Sequence, residues 1–236
     1  MSKNKITPAV KKSTFDFLKD LKKHNNRDWF NKKKERYLEE LNHMVVFADH
    51  LLSLMKKHDE LENTSGKSAL FRIYKDVRFS KDKSPYKTSW SGAFRRATKK
   101  RRGGYYFHLE PGNSYAAGGF FGPNADDLKR IRQDIDRNKE DWEKILSNKK
   151  IKKTFGKIGG EKLITAPQGY AKDHPAIELL RHKSFVLKHN FTDKEVLSAN
   201  FPEQLNDTFK NLRPFFDYMS DVLTTDLNGI SLLEED

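Results

Sequence analysis

The chain has 236 residues, 46 Lys and Arg against 33 Asp and Glu, a formal net charge of +13 and no cysteine. That length suits one domain, or at most two small ones, and 12% aromatic residues argue against disorder although hydrophobic residues reach only 36%. The missing thiols exclude disulfide frameworks, zinc fingers, cysteine nucleophiles and iron–sulfur clusters, and no apolar run nears the ~20 residues that cross a bilayer.

The basic start Met1-Ser2-Lys3-Asn4-Lys5 is followed by no hydrophobic stretch, so a secretory signal is not expected and a cytoplasmic location is. Ser13 or Thr14 can cap a short helix carrying Phe15, Phe17, Leu18 and Leu21. His24-Asn25-Asn26 ends it, and Asn26 can cap a second helix opening on Arg27-Asp28-Trp29-Phe30. From Glu35, apolar residues from Leu38 to Met55 recur with a 3.6-residue period, which predicts a long amphipathic helix ending near Asn63-Thr64-Ser65-Gly66.

The period then changes. Phe71, Ile73, Val77 and Phe79 alternate with Arg72, Tyr74, Asp76 and Arg78, as in a strand. Lys75 falls on the apolar side and predicts a bulge or an early end. Residues 80–87, with Pro85, form a predicted loop, and 89–97 and 103–110 are strands flanking a basic tip. Pro111-Gly112-Asn113-Ser114 is a turn before a strand over 115–121, where Gly118-Gly119 marks either a close approach of another segment or a plain bulge. Short connections predict antiparallel pairing. Helices follow over 126–138 and 139–147, then a Lys- and Gly-rich connector over 148–162. Asp173-His174-Pro175 forms a helix-start turn, 183–191 a strand, and 203–227 a C-terminal helix. The expectation is an α+β fold in one domain over 1–236: helical to residue 66, sheet-rich over 67–122, mostly helical beyond.

The segment from Phe71-Arg72-Ile73-Tyr74-Lys75-Asp76-Val77-Arg78-Phe79 through Ser80-Lys81-Asp82-Lys83-Ser84-Pro85-Tyr86-Lys87-Thr88 resembles the signature of a bacterial and fungal family called domain of unknown function 2461. Gly104-Tyr105-Tyr106-Phe107-His108-Leu109-Glu110-Pro111-Gly112, with the later Gly118-Gly119, is similar to its second signature. Asn25-Asn26-Arg27-Asp28-Trp29-Phe30 and Asp173-His174-Pro175 are similar to outlying parts. The resemblance covers nearly the whole chain and implies a single-domain architecture. It supplies no catalytic residues and no cofactor, so function is argued from chemistry.

Residues 67–104 hold 13 basic side chains against Asp76 and Asp82 alone, so this one segment carries most of the excess charge. On the predicted strand Arg72, Tyr74, Asp76 and Arg78 share a face. Asp76 either bridges both arginines or orients one toward an anion, since guanidinium grips phosphate or carboxylate through two parallel hydrogen bonds. The loop adds Lys83, Tyr86, Lys87, hydroxyls and turn amides of the kind that form anion-binding concavities. It has no P-loop pattern, and no dinucleotide-binding or Gly-x-Ser-x-Gly pattern occurs. Tyr106, His108 and Glu110 share a strand face. His108 and Glu110 can act as a proton-transfer pair if His108 faces the arginines, or as two metal ligands completed from elsewhere, for instance by Asp173 or His174, the first ranking above the second. Otherwise His108 is simply hydrogen-bonded to a neighbouring strand residue.

Three functions are then open. The first is a domain that binds a small anionic ligand, phosphorylated molecules included, through Arg72, Tyr74, Arg78, Lys83, Tyr86 and Lys87, with acid–base help from Asp76, His108 and Glu110. The second is a nucleic-acid-binding module led by Arg95, Arg96, Lys99, Lys100, Arg101 and Arg102, near aromatic residues able to stack bases. The third is an interaction protein whose charges are solvated. The mixture of Asp, His and Tyr with cations exceeds what gripping a phosphate backbone requires, which favours the first. No metal, cofactor or membrane partner is assigned.

Overall fold

The computed structural model describes residues 8–226 and 229–233. The basic start at Met1–Lys5 and the predicted helix end at Leu227 lie outside the described residues. The described residues open on three helices: α1 (Lys12–Lys23), α2 (Arg27–Lys32) and α3 (Lys34–Met55). Asn26 caps α2 as expected, its side chain accepting from Trp29 N–H. Neither Ser13 nor Thr14 caps α1, which begins after Lys11 without a side-chain cap. Thr14 is instead buried and donates to the buried Glu40 at 2.8 Å. The long helix stops at Met55, and a separate turn, α4 (Gly66–Ala69), is capped reciprocally by Ser65 and Ser68.

Residues 71–79 are not a strand. Only isolated antiparallel bridges form on this stretch, Leu70 with Gly92 and Tyr74 with Tyr86. Asp76 accepts from the Arg78 backbone and side chain, a local bonding pattern that competes with a ladder. Pro85, opposite, has no N–H to donate. Lys75, the residue that broke the alternation, turns to Asp82 at 2.6 Å and Ser84 at 2.9 Å.

The sheet comprises β1 (Trp90–Arg95), β2 (Gly104–Leu109), β3 (Ser114–Phe120) and β4 (Phe185–Phe191), antiparallel in the order β1-β2-β3-β4. Between β3 and β4 come α5 (Ala125–Arg137), α6 (Lys139–Leu146), α7 (Lys149–Phe155) and α8 (Ile177–Leu180). After β4 come α9 (Asp193–Val196), α10 (Phe201–Lys210) and α11 (Arg213–Thr224). Helices before and after an antiparallel sheet in chain order make this the expected α+β fold. The supposed connector over 148–162 contains α7, because Asn148 caps it and Ile151 and Phe155 give it an apolar side. The single C-terminal helix is two, with Pro214 in the first turn of α11, where its missing N–H costs no hydrogen bond. No described helix is long and apolar enough to cross a membrane.

The described residues fall into two compact units. The first draws on described residues up to Phe94, with Tyr106–Ala116 and Asn190–Asp207, the second on Arg95–Tyr105, Ala117–His189 and the described residues from Thr208. In the first, Phe47 stands edge-on to Phe107 at 5.7 Å and stacks on Phe201 at 6.0 Å. In the second, Tyr105 packs on Phe209 and Phe216, and Trp142 on Phe185. Each such fully buried ring contributes about 1.5–3 kcal/mol relative to exposure, which is why the aromatic content holds a fold so rich in charge.

Candidate functional site

Strand alternation on β2 buries Phe107 and Leu109 and leaves Tyr106 and His108, with Glu110 just beyond the strand, half-exposed on the other side. This is the geometry the period of two predicted. The three side chains form a row. Tyr106 Oη lies 3.3 Å from His108 Nδ1, and His108 Nε2 lies 3.3 Å from Glu110 Oε2. A carboxylate only accepts, so Nε2 carries the proton and Nδ1 accepts from the Tyr106 hydroxyl, a tautomer assigned from the network. The imidazole stacks on Tyr115 with ring centres 4.9 Å apart.

Glu110 also accepts from Thr88 Oγ1 at 3.0 Å and Asn113 Nδ2 at 3.1 Å, and Lys22 Nζ lies 3.8 Å away. Burial alone would raise its pKa, but hydrogen bonds from Asn113, His108 and Thr88 together hold the carboxyl below its ordinary 4.5. Burial, reinforced by Tyr106 and by the Glu110 charge, pushes the Tyr115 phenol up to about 12. Since the folded pKa of Glu110 is depressed, its contribution to stability is present above pH 4.5 and is lost as pH falls through the folded value. Glu110→Gln is therefore expected to flatten the decline of stability below pH 4.5, read as the urea midpoint against pH. An acid limb as steep as that of the unaltered protein contradicts this account.

Cations adjoin the row. The Lys87 ammonium sits 5.5 Å over the Phe71 ring, and that ring lies 6.2 Å from Tyr106. Burial, and then the charge of Arg72, lower the Lys87 pKa. Among the described residues no carboxylate pairs with Lys87 or Arg72. Phe71 itself is 47% exposed, an unusual setting for a large apolar side chain beside two cations. The fold thus links Lys87, which feels the charge of Arg72, to His108 and Glu110 through two aromatic rings.

Other predicted residues are placed differently. Asp76 and Arg78 form an exposed pair with each other, at 2.9 and 2.6 Å, which lowers the Asp76 pKa and raises that of Arg78. Asp76 therefore bridges no second arginine. Lys83 donates to the Val77 carbonyl at 3.0 Å, and Tyr74 accepts from Lys34 at 3.1 Å. Tyr86 is buried, stacked on Phe30 at 4.0 Å, while Asn25 clasps its backbone N–H and C=O. Its ring belongs to the packing of the loop rather than to an open surface.

In the basic tip, the Arg96 side chain is 1% exposed and pairs with Asp217 at 2.7 Å, beneath the Phe216 ring. Arg102 pairs with Asp127. Arg95, Lys99 and Lys100 lie exposed and Arg101 half-exposed. His174, the candidate third metal ligand, uses both ring nitrogens locally, with Nε2 2.9 Å from Asp136 and Nδ1 accepting from Ala176 N–H. It precedes α8 rather than capping it, and Pro175 lies outside the helix.

Sequence reasoning missed Thr88, Asn113, Tyr115, Lys22 and Phe71. Tyr115 had a signal: a tight turn over 110–113 sets residue 115 across from 108 in the hairpin. Asn113 had one too, lying in the predicted turn three residues from Glu110, whereas Thr88, Lys22 and Phe71 come from segments whose approach to β2 leaves no mark on the local pattern. Fold and site define an α+β protein with a tyrosine–histidine–glutamate row on an antiparallel sheet. The chain belongs to the family described as "Conserved hypothetical protein (DUF2461)", whose model matches residues 13–218. No curated protein and no solved structure matches it.

Proposed function

We propose that the outer side of the sheet in the first unit binds a small anionic ligand and that His108, backed by Glu110, moves a proton on it. The observation that carries the reading is the Arg72–Lys87 pair of cations, without a carboxylate partner among the described residues, joined through Phe71 and Tyr106 to the His108–Glu110 pair. Two adjacent like charges repel, and an anion held between them relieves that repulsion. A phosphate or carboxylate would take two parallel hydrogen bonds from the Arg72 guanidinium and one from Lys87. His108 Nδ1 is the basic nitrogen, reached through the Tyr106 hydroxyl. The ionised Glu110 stabilises the imidazolium formed when that nitrogen takes a proton. The pairing of Arg96 and Arg102 with aspartates weighs against the nucleic-acid alternative, because it leaves the tip with fewer uncompensated charges.

Phenyl phosphate, which combines a dianion with a ring able to pack on Phe71, is the probe. Arg72→Ala and Lys87→Ala are each expected to weaken its binding about tenfold or more in calorimetric titration. Neutralising Lys99, Lys100 and Arg101 together should leave that affinity unchanged. His108→Asn should keep the affinity, since the anion is gripped by Arg72 and Lys87. Binding that ignores Arg72 and Lys87 overturns the reading. A salt-sensitive affinity for RNA that disappears with the tip lysines favours the alternative.

A further inference from the structure

The second unit holds a cleft of about 460 Å³ between α5 and the turn over 167–170. Lys129, Arg132, Gln133 and Arg137 recur at the spacings that bring residues to one side of a helix, and all line it. Opposite, Tyr170 N–H bonds back to the Pro167 carbonyl at 3.2 Å, and Gly169 at φ +89° supplies the left-handed step this turn requires. The turn delivers Gln168 and Tyr170 to the cleft wall.

The charge state of this cleft differs from that of the other arginine sites in the unit. Arg96 and Arg102 each have an aspartate. Arg132 is half-buried and has none. Its guanidinium is held by two backbone carbonyls, Leu180 at 3.0 Å and His182 at 3.4 Å, so it is positioned without being neutralised. Burial disfavours its charge, and only the nearby Tyr170 phenol works the other way. Lys129 and Arg137 likewise have no carboxylate partner among the described residues. The one carboxylate in the wall, Asp136, accepts from His174 Nε2 at 2.9 Å, because the Ala176 N–H donated to Nδ1 leaves the ring proton on Nε2. Three cations without an ion-pair partner among the described residues therefore line one concavity with a single aspartate, two amides and a phenol.

We propose that this cleft binds a phosphate-bearing small molecule, at a place distinct from the sheet row of the first unit. The free edge of the fixed Arg132 guanidinium and the flanking Lys129 and Arg137 suit a dianionic phosphoryl group. Gln133, Gln168 and the Tyr170 ring suit the polar, uncharged remainder of the molecule. The volume exceeds what bare phosphate fills and falls within the roughly 300–1,000 Å³ of small-molecule sites.

Pyrophosphate is titrated calorimetrically into the full chain, with the Gly169 and Tyr170 amide resonances followed in parallel. The unaltered protein should bind it and shift those resonances. Lys129→Gln with Arg137→Gln, both exposed and so compatible with folding, should weaken binding about tenfold or more at unchanged Tm. Arg132→Gln should do the same, with circular dichroism confirming its fold. Lys87→Ala should leave the Gly169 and Tyr170 resonance shifts unchanged, whatever it does to anion binding at the sheet, and that local readout separates the two sites: the phenyl phosphate series can fail while this one succeeds, and the reverse. Absence of pyrophosphate binding, equal binding in the double variant, or loss confined to Lys87→Ala overturns the proposal. So does binding of single-stranded RNA alone.

Discussion

Gly119→Ala is expected to lower stability by about 3–5 kcal/mol, among the largest effects of any single methyl group in this chain. Gly119 sits in β3 at φ +146°, a region that L side chains avoid. A β-carbon there would also sit on the Phe185 carbonyl oxygen and 3.0 Å from Val186 Cα, both backbone atoms of the neighbouring strand. Backbone in a sheet yields only by breaking its ladder, so strain and lost pairing act together. Gly118 provides the control. Its added carbon would meet Leu212 and Phe216 side chains, which can rotate, so Gly118→Ala should cost about 1–3 kcal/mol as simple overpacking. Urea midpoints of the two variants test the ranking, and equal midpoints contradict it.

Asp134→Ala should cost about 2–4 kcal/mol through polar groups left without a partner. One oxygen of Asp134 accepts from Trp142 Nε1 at 2.7 Å and from Tyr218 Oη at 2.9 Å, and the other from Asn138 Nδ2 at 2.7 Å. The Trp142 side chain is fully buried, so its indole N–H finds no water when the carboxylate goes. Burial, then the Asp134 charge, holds the Tyr218 phenol above its ordinary 10.0. Asp134→Ala should accordingly bring Tyr218 ionisation down toward that value, as seen in an ultraviolet titration. Adding Trp142→Phe to Asp134→Ala removes the orphaned donor as well, so the double variant should be more stable than the sum of the two losses predicts. Strict additivity would refute the network.

Much of the fold was legible because its signals are local. The 3.6-residue period of α3, the Asn26 cap and the alternation along β2 are consequences of backbone geometry within one element. The same locality misled at 71–79. Its alternation is real, yet whether an alternating segment becomes a strand depends on the segment beside it, here one containing Pro85 and an Asp82 that captures Lys75. The split of 203–227 into two helices had its mark in Pro214, and the capping Asn148 marked α7 within a stretch whose lysines and glycines pointed to a connector.

The candidate site divides the same way. The sequence by itself determined that Tyr106, His108 and Glu110 share a side of β2 and that positive charge concentrates over 67–104, because both follow from spacing and composition alone. Only the tertiary structure decided which of those charges remain available. Arg96 is neutralised by Asp217, 121 residues away, and Arg78 by its neighbour Asp76, while Arg72 and Lys87 lack such a partner among the described residues. An ion pair needs a distance of a few ångströms in space, and separation along the chain does not report that distance. Net charge located the region, and folding selected the cations within it.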